Sequence, residues 1–353
     1  MNLAEFDLAE LEDALSSLGA PAFHGRQIFH WIYRRNITDI EKMTDLARPL
    51  RAKLAESVVI PTPSIVEKQT SVDGTTKFHL RLADGRDIEA VFIPDTPAQT
   101  FCISTQVGCA MGCAFCLTGK MGLIRNLSAG EIAGQVRVLA EATNLAGTAF
   151  NIVLMGMGEP LHNYDATMKA LRILHEEKGL AVHPKRVTLS TVGLLPALEK
   201  LALEPLIPNL AISLHATTDA TRTAIVPINR KYDMDELLSA CRRFPLAARR
   251  RITFEYVLLA GVNDSPADAR RLATLVGDIK AKVNLLPLNE APGIPFRRPT
   301  DEAVNAFAKI LTERGVRALV RKSRGRDIRA ACGQLIVEGQ NTSAGAALAR
   351  RME

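Results

Sequence analysis

Thr100-Phe-Cys-Ile-Ser-Thr-Gln-Val-Gly-Cys109-Ala-Met-Gly-Cys113-Ala-Phe-Cys116 runs from an apolar, β-rich stretch into three cysteines spaced CxxxCxxC. Three thiolates on one tight loop can converge on a metal centre, and their softness selects zinc, copper(I) or an iron–sulfur cluster. A structural zinc site takes four protein ligands. After Cys116 the next cysteine is Cys241 and the next histidine is His162, so the loop offers three ligands and leaves a position open. That suits catalysis better than scaffolding. Gly108, Gly112 and Gly119 mark the stretch as a loop, not a packed core element.

Downstream, strand and helix alternate. Thr100–Val107 reads as a strand, and Ser128-Ala-Gly-Glu131 is a capping box opening a helix to about Thr143. Strands at Asn151–Met155, Arg186–Ser190 and Leu210–Leu214 follow, with a helix over 165–178 between the first two. A helix from about Met234 precedes a strand at Ile252–Leu258, Ser265-Pro266 caps another helix, and Lys282–Leu286 is the last strand. Six such units imply a parallel sheet with helices outside. Six is short of a closed eight-fold barrel. The expected fold is therefore α/β, an open partial (β/α)6 barrel with its sites at the C-terminal ends of the strands. The cysteine loop follows the first strand and lands on that face.

Other strand ends on the same face carry polar groups. Met155-Gly-Met-Gly158-Glu159-Pro160 has two glycines that let backbone approach a ligand, and Glu159 there either meets an ammonium group or sits on a solvated turn. Ser190 ends the third strand, Ser213-Leu214-His215 the fourth, and Asn289 follows the sixth. These hydroxyl, imidazole and amide groups suit ribose, carboxylate or adenine edges.

Upstream of the barrel, residues 1–60 read as helical. Leu8, Leu11, Leu15 and Leu18 recur at helical spacing up to Gly19-Ala-Pro21. A second helix, Phe23 to about Arg35, combines Ile28, Phe29, Trp31, Ile32 and Tyr33 with Arg26, Arg34 and Arg35, either as a packed helical domain or as a nucleic-acid contact. Residues 61–97 alternate with period two around Asp73-Gly74 and Asp84-Gly85, as a small antiparallel β extension. Glu89 lies on its last strand, where alternation allows a solvated face. The barrel then occupies 98–291, and 292–353 form a C-terminal segment.

The 353 residues, 47% of them hydrophobic, suffice for one large α/β domain and an accessory one. With 44 Lys and Arg against 38 Asp and Glu, the net charge of +6 mildly favours an anionic partner. The start, Met-Asn-Leu-Ala-Glu-Phe-Asp, lacks the basic and apolar regions of a signal peptide, and no apolar run approaches the ~18 residues of a membrane span. A soluble, cytoplasmic protein without a membrane partner is expected. Six cysteines, half of them clustered, do not resemble a secreted disulfide framework.

Over nearly its whole length the chain resembles the RlmN/Cfr family of radical S-adenosylmethionine RNA methyltransferases. The resemblance is carried by Ile88-Glu-Ala-Val-Phe-Ile93, by Cys102-Ile-Ser-Thr-Gln-Val-Gly-Cys109 with Cys113 and Cys116, and by Arg125-Asn-Leu127. Met155–Pro160, Ser213-Leu-His215 and Ala331-Cys-Gly-Gln334 complete it. Leu117-Thr118 departs from the small residues commoner after the third cysteine. The resemblance implies a radical-SAM barrel in which Cys109, Cys113 and Cys116 hold one 4Fe-4S cluster, the fourth iron being left for S-adenosylmethionine. It makes Gly158, Glu159, Ser190, Ser213, Leu214, His215 and Asn289 the expected S-adenosylmethionine contacts.

Carbon 2 of adenine is electron-poor and carries no lone pair, so polar methyl transfer has nothing to attack with, whereas a carbon radical can add there. By resemblance, Cys332 accepts a methyl group from one S-adenosylmethionine, and a second is cleaved to a 5′-deoxyadenosyl radical that takes hydrogen from that methyl group. The new radical adds to adenine and leaves it tethered through Cys332. Cys102 then breaks the tether, leaving a Cys102–Cys332 disulfide for an electron donor to reduce. Glu89 matches the position assigned to proton acceptance, with the Cys102 thiolate as the other choice. The implied substrates are 23S rRNA and tRNA, at the adenosine 3′ of the anticodon, with the base unstacked. Attack at carbon 8, as in Cfr, is the nearest alternative, and a non-catalytic metal-stabilised RNA-binding protein a more distant one. A monomer is favoured.

The residues around Cys332 add their own argument. Arg321-Lys-Ser-Arg-Gly-Arg326-Asp-Ile-Arg329 precedes it, cations that favour thiolate, and Gly325 and Gly333 allow a mobile loop. Cys241 has no such context and reads as buried in a helix. The same basic residues, with Arg297-Arg298 and Arg249-Arg250-Arg251, either neutralise phosphates or form solvated faces.

Overall fold

The computed structural model describes residues 1–94 and 98–337. α1 (Leu8–Ser17) begins at a capping box formed by Asp7 and Glu10, and it buries Leu11 and Leu15 from the leucine repeat. α2 (Phe23–Tyr33) turns Ile28, Phe29, Trp31, Ile32 and Tyr33 inward and leaves Arg26 outside. α3 (Arg48–Ser57), with a proline in its first turn, completes the helical region. Tyr33 Oη donates to the Ala4 carbonyl at 2.9 Å, closing this region on itself.

β1 (Ser64–Thr70), β2 (Thr76–Arg81) and β3 (Asp87–Ile93) form the antiparallel extension, with β1 as its exposed, charge-bearing edge. The expected strand Thr100–Val107 is in fact two, β4 (Thr100–Cys102) and β5 (Gln106–Gly108). Between them the ladder is interrupted because other groups take the backbone: Ser104 N–H donates to Gln135 Oε1 at 2.9 Å and Thr105 N–H to the Met157 carbonyl at 2.8 Å. β5 leaves the main sheet, and after α4 (Leu117–Met121) it pairs with β6 (Leu123–Asn126), so this small ribbon carries the cysteine loop.

The β/α alternation then runs as expected. α5 (Ala129–Ala142), opened by the Ser128/Glu131 capping box, leads to β7 (Asn151–Leu154), α6 (Tyr164–His175), β8 (Val187–Thr191) and α7 (Leu195–Leu201). β9 (Asn209–Ser213), α8 (Asp219–Ile225), α9 (Met234–Arg243) and β10 (Ile252–Leu258) follow. α10 (Pro266–Val276), β11 (Ala281–Pro287), α11 (Asp301–Glu313) and β12 (Ala318–Val320) end the described chain. All seven residues of β10 are buried, as in a parallel strand covered on both faces.

The main sheet runs β1-β2-β3-β4-β7-β8-β9-β10-β11-β12. Every neighbouring pair from β4 onward is parallel, so the six expected strands stand side by side and a short seventh, β12, adds to them. Among the described residues β1 and β12 are its two edges, so the barrel they form is partial and open. β12 gave no legible signal: it is three residues long, and Leu319 and Val320 are exposed.

Arg137 of α5 fastens the helical region to the barrel. Its buried guanidinium donates to the Ile32 carbonyl, to Asn36 Oδ1 and to Thr62 Oγ1, at 3.2, 3.1 and 2.6 Å. No helix among the described residues is long and apolar enough to cross a membrane.

Candidate active site

Cys109, Cys113 and Cys116 sit where the topology sends them, at the C-terminal ends of the parallel strands. Cys109 N–H donates to the Gly122 carbonyl at 3.0 Å, and Ala114 N–H to the Ile225 carbonyl of α8 at 3.0 Å. Cys109 and Cys113 pack against an apolar bed that includes Val192, Ala216, Val257 and Leu288, each just beyond a strand or in its last turn. Burial pushes the Cys109 thiol up to about 12, with Cys116 adding to it, and also raises Cys113 well above the usual thiol range, with Cys116 and Cys109 adding. Three thiolates here repel one another in an apolar bed, so a cationic centre is what the donor set fits.

Among the described residues no three His, Cys, Asp or Glu side chains are grouped as they would be about one metal ion. In an iron–sulfur cluster each thiolate takes a different iron, so the sulfurs need not converge on a single point.

The strand-end residues differ in what they present. Gly158 has φ of +105°, and a Cβ there would lie 2.6 Å from Gln106 Cβ, so only glycine fits. Glu159 is not on a solvated turn. Its Oε1 accepts from Leu161 N–H at 3.0 Å and its Oε2 from Val192 N–H at 2.9 Å, while burial pushes its carboxyl up to about 7. Ser190 and Ser213 are half-buried at the ends of β8 and β9. The Leu214 side chain is in the core, which leaves its backbone to face a ligand. His215, at φ of 61°, accepts from Val257 N–H through Nδ1 at 3.0 Å, which puts its proton on Nε2. Burial pulls its pKa down to about 3, so the ring is a neutral donor. Asn289 is buried; its Nδ2 donates to the Cys332 carbonyl at 3.3 Å, and its Oδ1 has no partner among the described residues, an acceptor for a bound amine or hydroxyl.

The C-terminal segment crosses this face. Leu117 N–H donates to the Gly333 carbonyl at 2.8 Å, and Thr118 Oγ1 to the Leu335 carbonyl at 2.6 Å. The departure Leu117-Thr118 is thus a docking point for the Cys332 segment. Cys332 is accessible yet surrounded by protein, as a residue facing a concavity is. The expectation that neighbouring cations favour its thiolate is overturned. Burial pushes the Cys332 thiol up to about 11 and the Glu255 carboxylate adds to it, while Arg321 pulls the other way. Buried Cys102 is raised first by burial and then by Cys332, so the two thiols lie within electrostatic reach of each other. Both are free thiols.

Glu89 is buried, and the solvated-face alternative fails. Its Oε1 pairs with Lys77 Nζ at 2.9 Å and its Oε2 accepts from Ile336 N–H at 2.8 Å, with burial the largest influence raising its pKa. Cys241 lies in α9 and is buried, as expected. The basic runs separate. Arg297-Arg298 follow β11 and Arg321–Arg329 follow β12, and Ala260, just beyond β10, donates its N–H to the Arg297 carbonyl at 2.9 Å. Arg249–Arg251 precede β10 and so lie at the opposite end of the sheet.

Two residues of this face were missed. Arg222 sits in a short helix with no motif around it. Glu255 did leave a signal, a carboxylate inside the apolar run Ile252–Leu258. In the structure it is buried, accepts from Asn284 Nδ2 at 2.9 Å and is pushed up to about 7 by burial.

Residues 1–60 match the family described as ribosomal RNA large subunit methyltransferase N-terminal domain, and residues 103–273 match the radical SAM superfamily. The chain is 50% identical to the dual-specificity RNA methyltransferase RlmN of Anaeromyxobacter dehalogenans (strain 2CP-C), covering 93% of this chain and 90% of that protein. It is 46% identical to the protein of the same name from Syntrophobacter fumaroxidans (strain DSM 10017 / MPOB), covering 95% and 97%. The chain belongs to the RlmN family. It is an enzyme of the radical S-adenosylmethionine methyltransferase class, whose members use S-adenosylmethionine and a 4Fe-4S cluster. Its fold agrees with the crystal structure of a radical SAM methyltransferase from Sphaerobacter thermophilus, at TM-score 0.90 and 50% identity over 95% of this chain and 99% of that one.

Proposed function

We propose that this enzyme methylates carbon 2 of adenosine in 23S rRNA and in tRNA, with Cys332 as methyl carrier and Cys102 as its resolving thiol. The observation that carries the reading is the docking of the Cys332 segment onto the cysteine loop through Leu117 and Thr118, with Cys102 in electrostatic reach. Two further thiols are thereby gathered beside the three-cysteine loop, more than cluster binding requires.

When bound by Cys109, Cys113 and Cys116, the cluster supplies the electron that cleaves S-adenosylmethionine to a carbon radical, one of two molecules consumed per turnover. The chain's own residues do the rest. Gly158 and the backbone of Leu214 allow close approach, Glu159, Ser190, Ser213 and His215 offer polar contacts, and Asn289 Oδ1 is an acceptor. The apolar bed excludes water from the radical. Cys332 holds the methyl group and then the tethered base. Glu89, or the Cys102 thiolate, takes the ring proton. Cys102 attacks Cys332 to release the product, and an electron donor reduces the disulfide.

On this reading residues 1–60 are an accessory RNA contact, 61–97 a β extension, 98–291 the catalytic barrel and 292–353 the carrier segment, acting as a cytoplasmic monomer. Arg297-Arg298 and Arg321–Arg329, on the catalytic face, meet RNA phosphates, so binding weakens with salt.

The test is anaerobic reconstitution with iron and sulfide, then incubation with S-adenosylmethionine, a reductant and protein-free 23S rRNA or tRNA, with mass spectrometry of the digested nucleosides. The expected product is 2-methyladenosine. A product of 8-methyladenosine assigns the other carbon, and 5′-deoxyadenosine with no methylated nucleoside removes RNA as substrate.

A further inference from the structure

Arg222 is among the largest fully buried side chains of the described residues, and three of its side-chain hydrogen bonds go to backbone carbonyls of the candidate site. Its Nε donates to the Leu214 carbonyl at 3.1 Å, and Nη2 to the Val192 and Ser213 carbonyls at 2.7 and 3.2 Å. Nη1 donates to Asn229 Oδ1 at 2.9 Å, and Asn229 Nδ2 is held in turn by Asp219 Oδ1 and Thr223 Oγ1, both at 2.9 Å. Val192 and Ser213-Leu214 are the turns that leave β8 and β9. Val192 also reaches a third strand end, since its N–H binds Glu159 Oε2 at 2.9 Å. The helix bearing Arg222 reaches the cysteine loop through the Ile225 carbonyl, which accepts from Ala114 N–H at 3.0 Å. The guanidinium therefore ties together the turns after β8 and β9, and its neighbours in the chain extend the contact to Glu159 and to the loop of Cys109, Cys113 and Cys116.

Burying a guanidinium is costly unless something negative faces it. Among the described residues no carboxylate forms an ion pair with Arg222. Burial pulls its pKa down to about 10, which leaves it charged at neutral pH, and the first counter-charge acting on it is Cys113, ahead of Asp219. What faces it is the negative ends of the Leu214, Val192 and Ser213 carbonyls. Leucine or methionine would fill the space, but neither could bind the carbonyls of Leu214, Ser213 and Val192.

We infer that Arg222 is a positioning residue that fixes the turns after β8 and β9 in the shape that receives S-adenosylmethionine. The inference rests on the reading that the cysteine loop holds a cluster to which S-adenosylmethionine binds. Its planar fork is what matters, since a lysine at this position keeps the charge but reaches fewer carbonyls.

The experiment uses the reconstituted full chain and measures iron content, thermal midpoint, S-adenosylmethionine Kd and the change in the reduced cluster's EPR signal on binding. Arg222→Lys is expected to retain iron and to raise the Kd on the order of 10- to 100-fold, as loss of an outer support does. The EPR change on binding is altered with it. Asn229→Ala, which frees one arm of the fork, raises the Kd less, and its effect vanishes in the double variant because it acts through Arg222. Wild-type affinity and EPR response in Arg222→Lys, whatever its thermal midpoint, overturn the inference alone. Fully additive effects in the double variant overturn it too. A wild-type chain that takes up iron but binds no S-adenosylmethionine overturns the underlying reading instead.

Discussion

Glu89 Oε2 accepts a hydrogen bond of 2.8 Å from the N–H of Ile336, a residue 247 positions further along the chain. With Lys77 Nζ on the other oxygen at 2.9 Å, the carboxylate latches the stretch just after Cys332 to the β extension. Glu89→Ala leaves both partners unpaired in a buried place, at an expected cost of ~3–5 kcal/mol. Hydrogen exchange at Ile336 accelerates with it. Glu89→Gln keeps an acceptor for Ile336, so exchange there stays near wild type while release of the methylated RNA slows. Fast exchange at Ile336 in the glutamine variant would mean that the ion pair, not the hydrogen bond, is the latch.

Cys332 and Cys102 separate by what accumulates. Cys332→Ala is expected to keep iron and lose methyl transfer, whereas Cys102→Ala stalls with RNA bound covalently through Cys332. Intact-mass spectrometry and gel mobility read both. Methylated RNA from Cys332→Ala, or clean release from Cys102→Ala, would reverse the assignments.

Glu255 makes stability depend on pH. Burial raises its pKa from 4.5 to about 7, so the folded chain holds this proton more tightly than the unfolded chain does. The resulting stabilisation is full below the unfolded value and is lost as pH rises through about 7. Glu255→Gln keeps the contact with Asn284 but does not titrate. Relative to wild type, its unfolding free energy therefore rises by about 2–3 kcal/mol between about pH 5 and about pH 8, at 1.36 kcal/mol per pH unit. Parallel denaturant curves for the two proteins would exclude this role.

Gly158→Ala forces a Cβ to within 2.6 Å of Gln106, at a backbone φ of +105° that alanine rarely adopts. Backbone strain of ~1–3 kcal/mol is expected. Gln106 also accepts from Glu159 N–H at 2.9 Å, so the Glu159 turn shifts with it and S-adenosylmethionine affinity falls. Denaturant unfolding and equilibrium dialysis measure the two effects, and an unchanged affinity would separate the glycine from the ligand turn.

Periodicity alone determined most of the architecture. The leucine repeat of α1, the two-residue alternation of β2 and β3, and the capping boxes at Ser128 and Ser265 are local signals, and each element stands where its signal lay. Chain order then sent the cysteine loop and the strand-end residues to one face, because parallel strands put all their C-terminal ends together. What tertiary structure decided is which groups meet and what surrounds them. The break after Cys102 depends on Gln135 and Met157, which compete for backbone from elsewhere in the chain. Glu89 could be solvated or buried by alternation, and only the packing of Ile336 and Lys77 against it chose. Cys332 is preceded by cations in sequence, yet burial and Glu255 act on its thiol more than they do. Arg222 had no motif to announce it, since its role lies in backbone carbonyls supplied by two other turns. Local pattern specifies elements because it is set by neighbours in the chain. Charge state and partnership are set by neighbours in space, and those exist only once the sheet has brought them together.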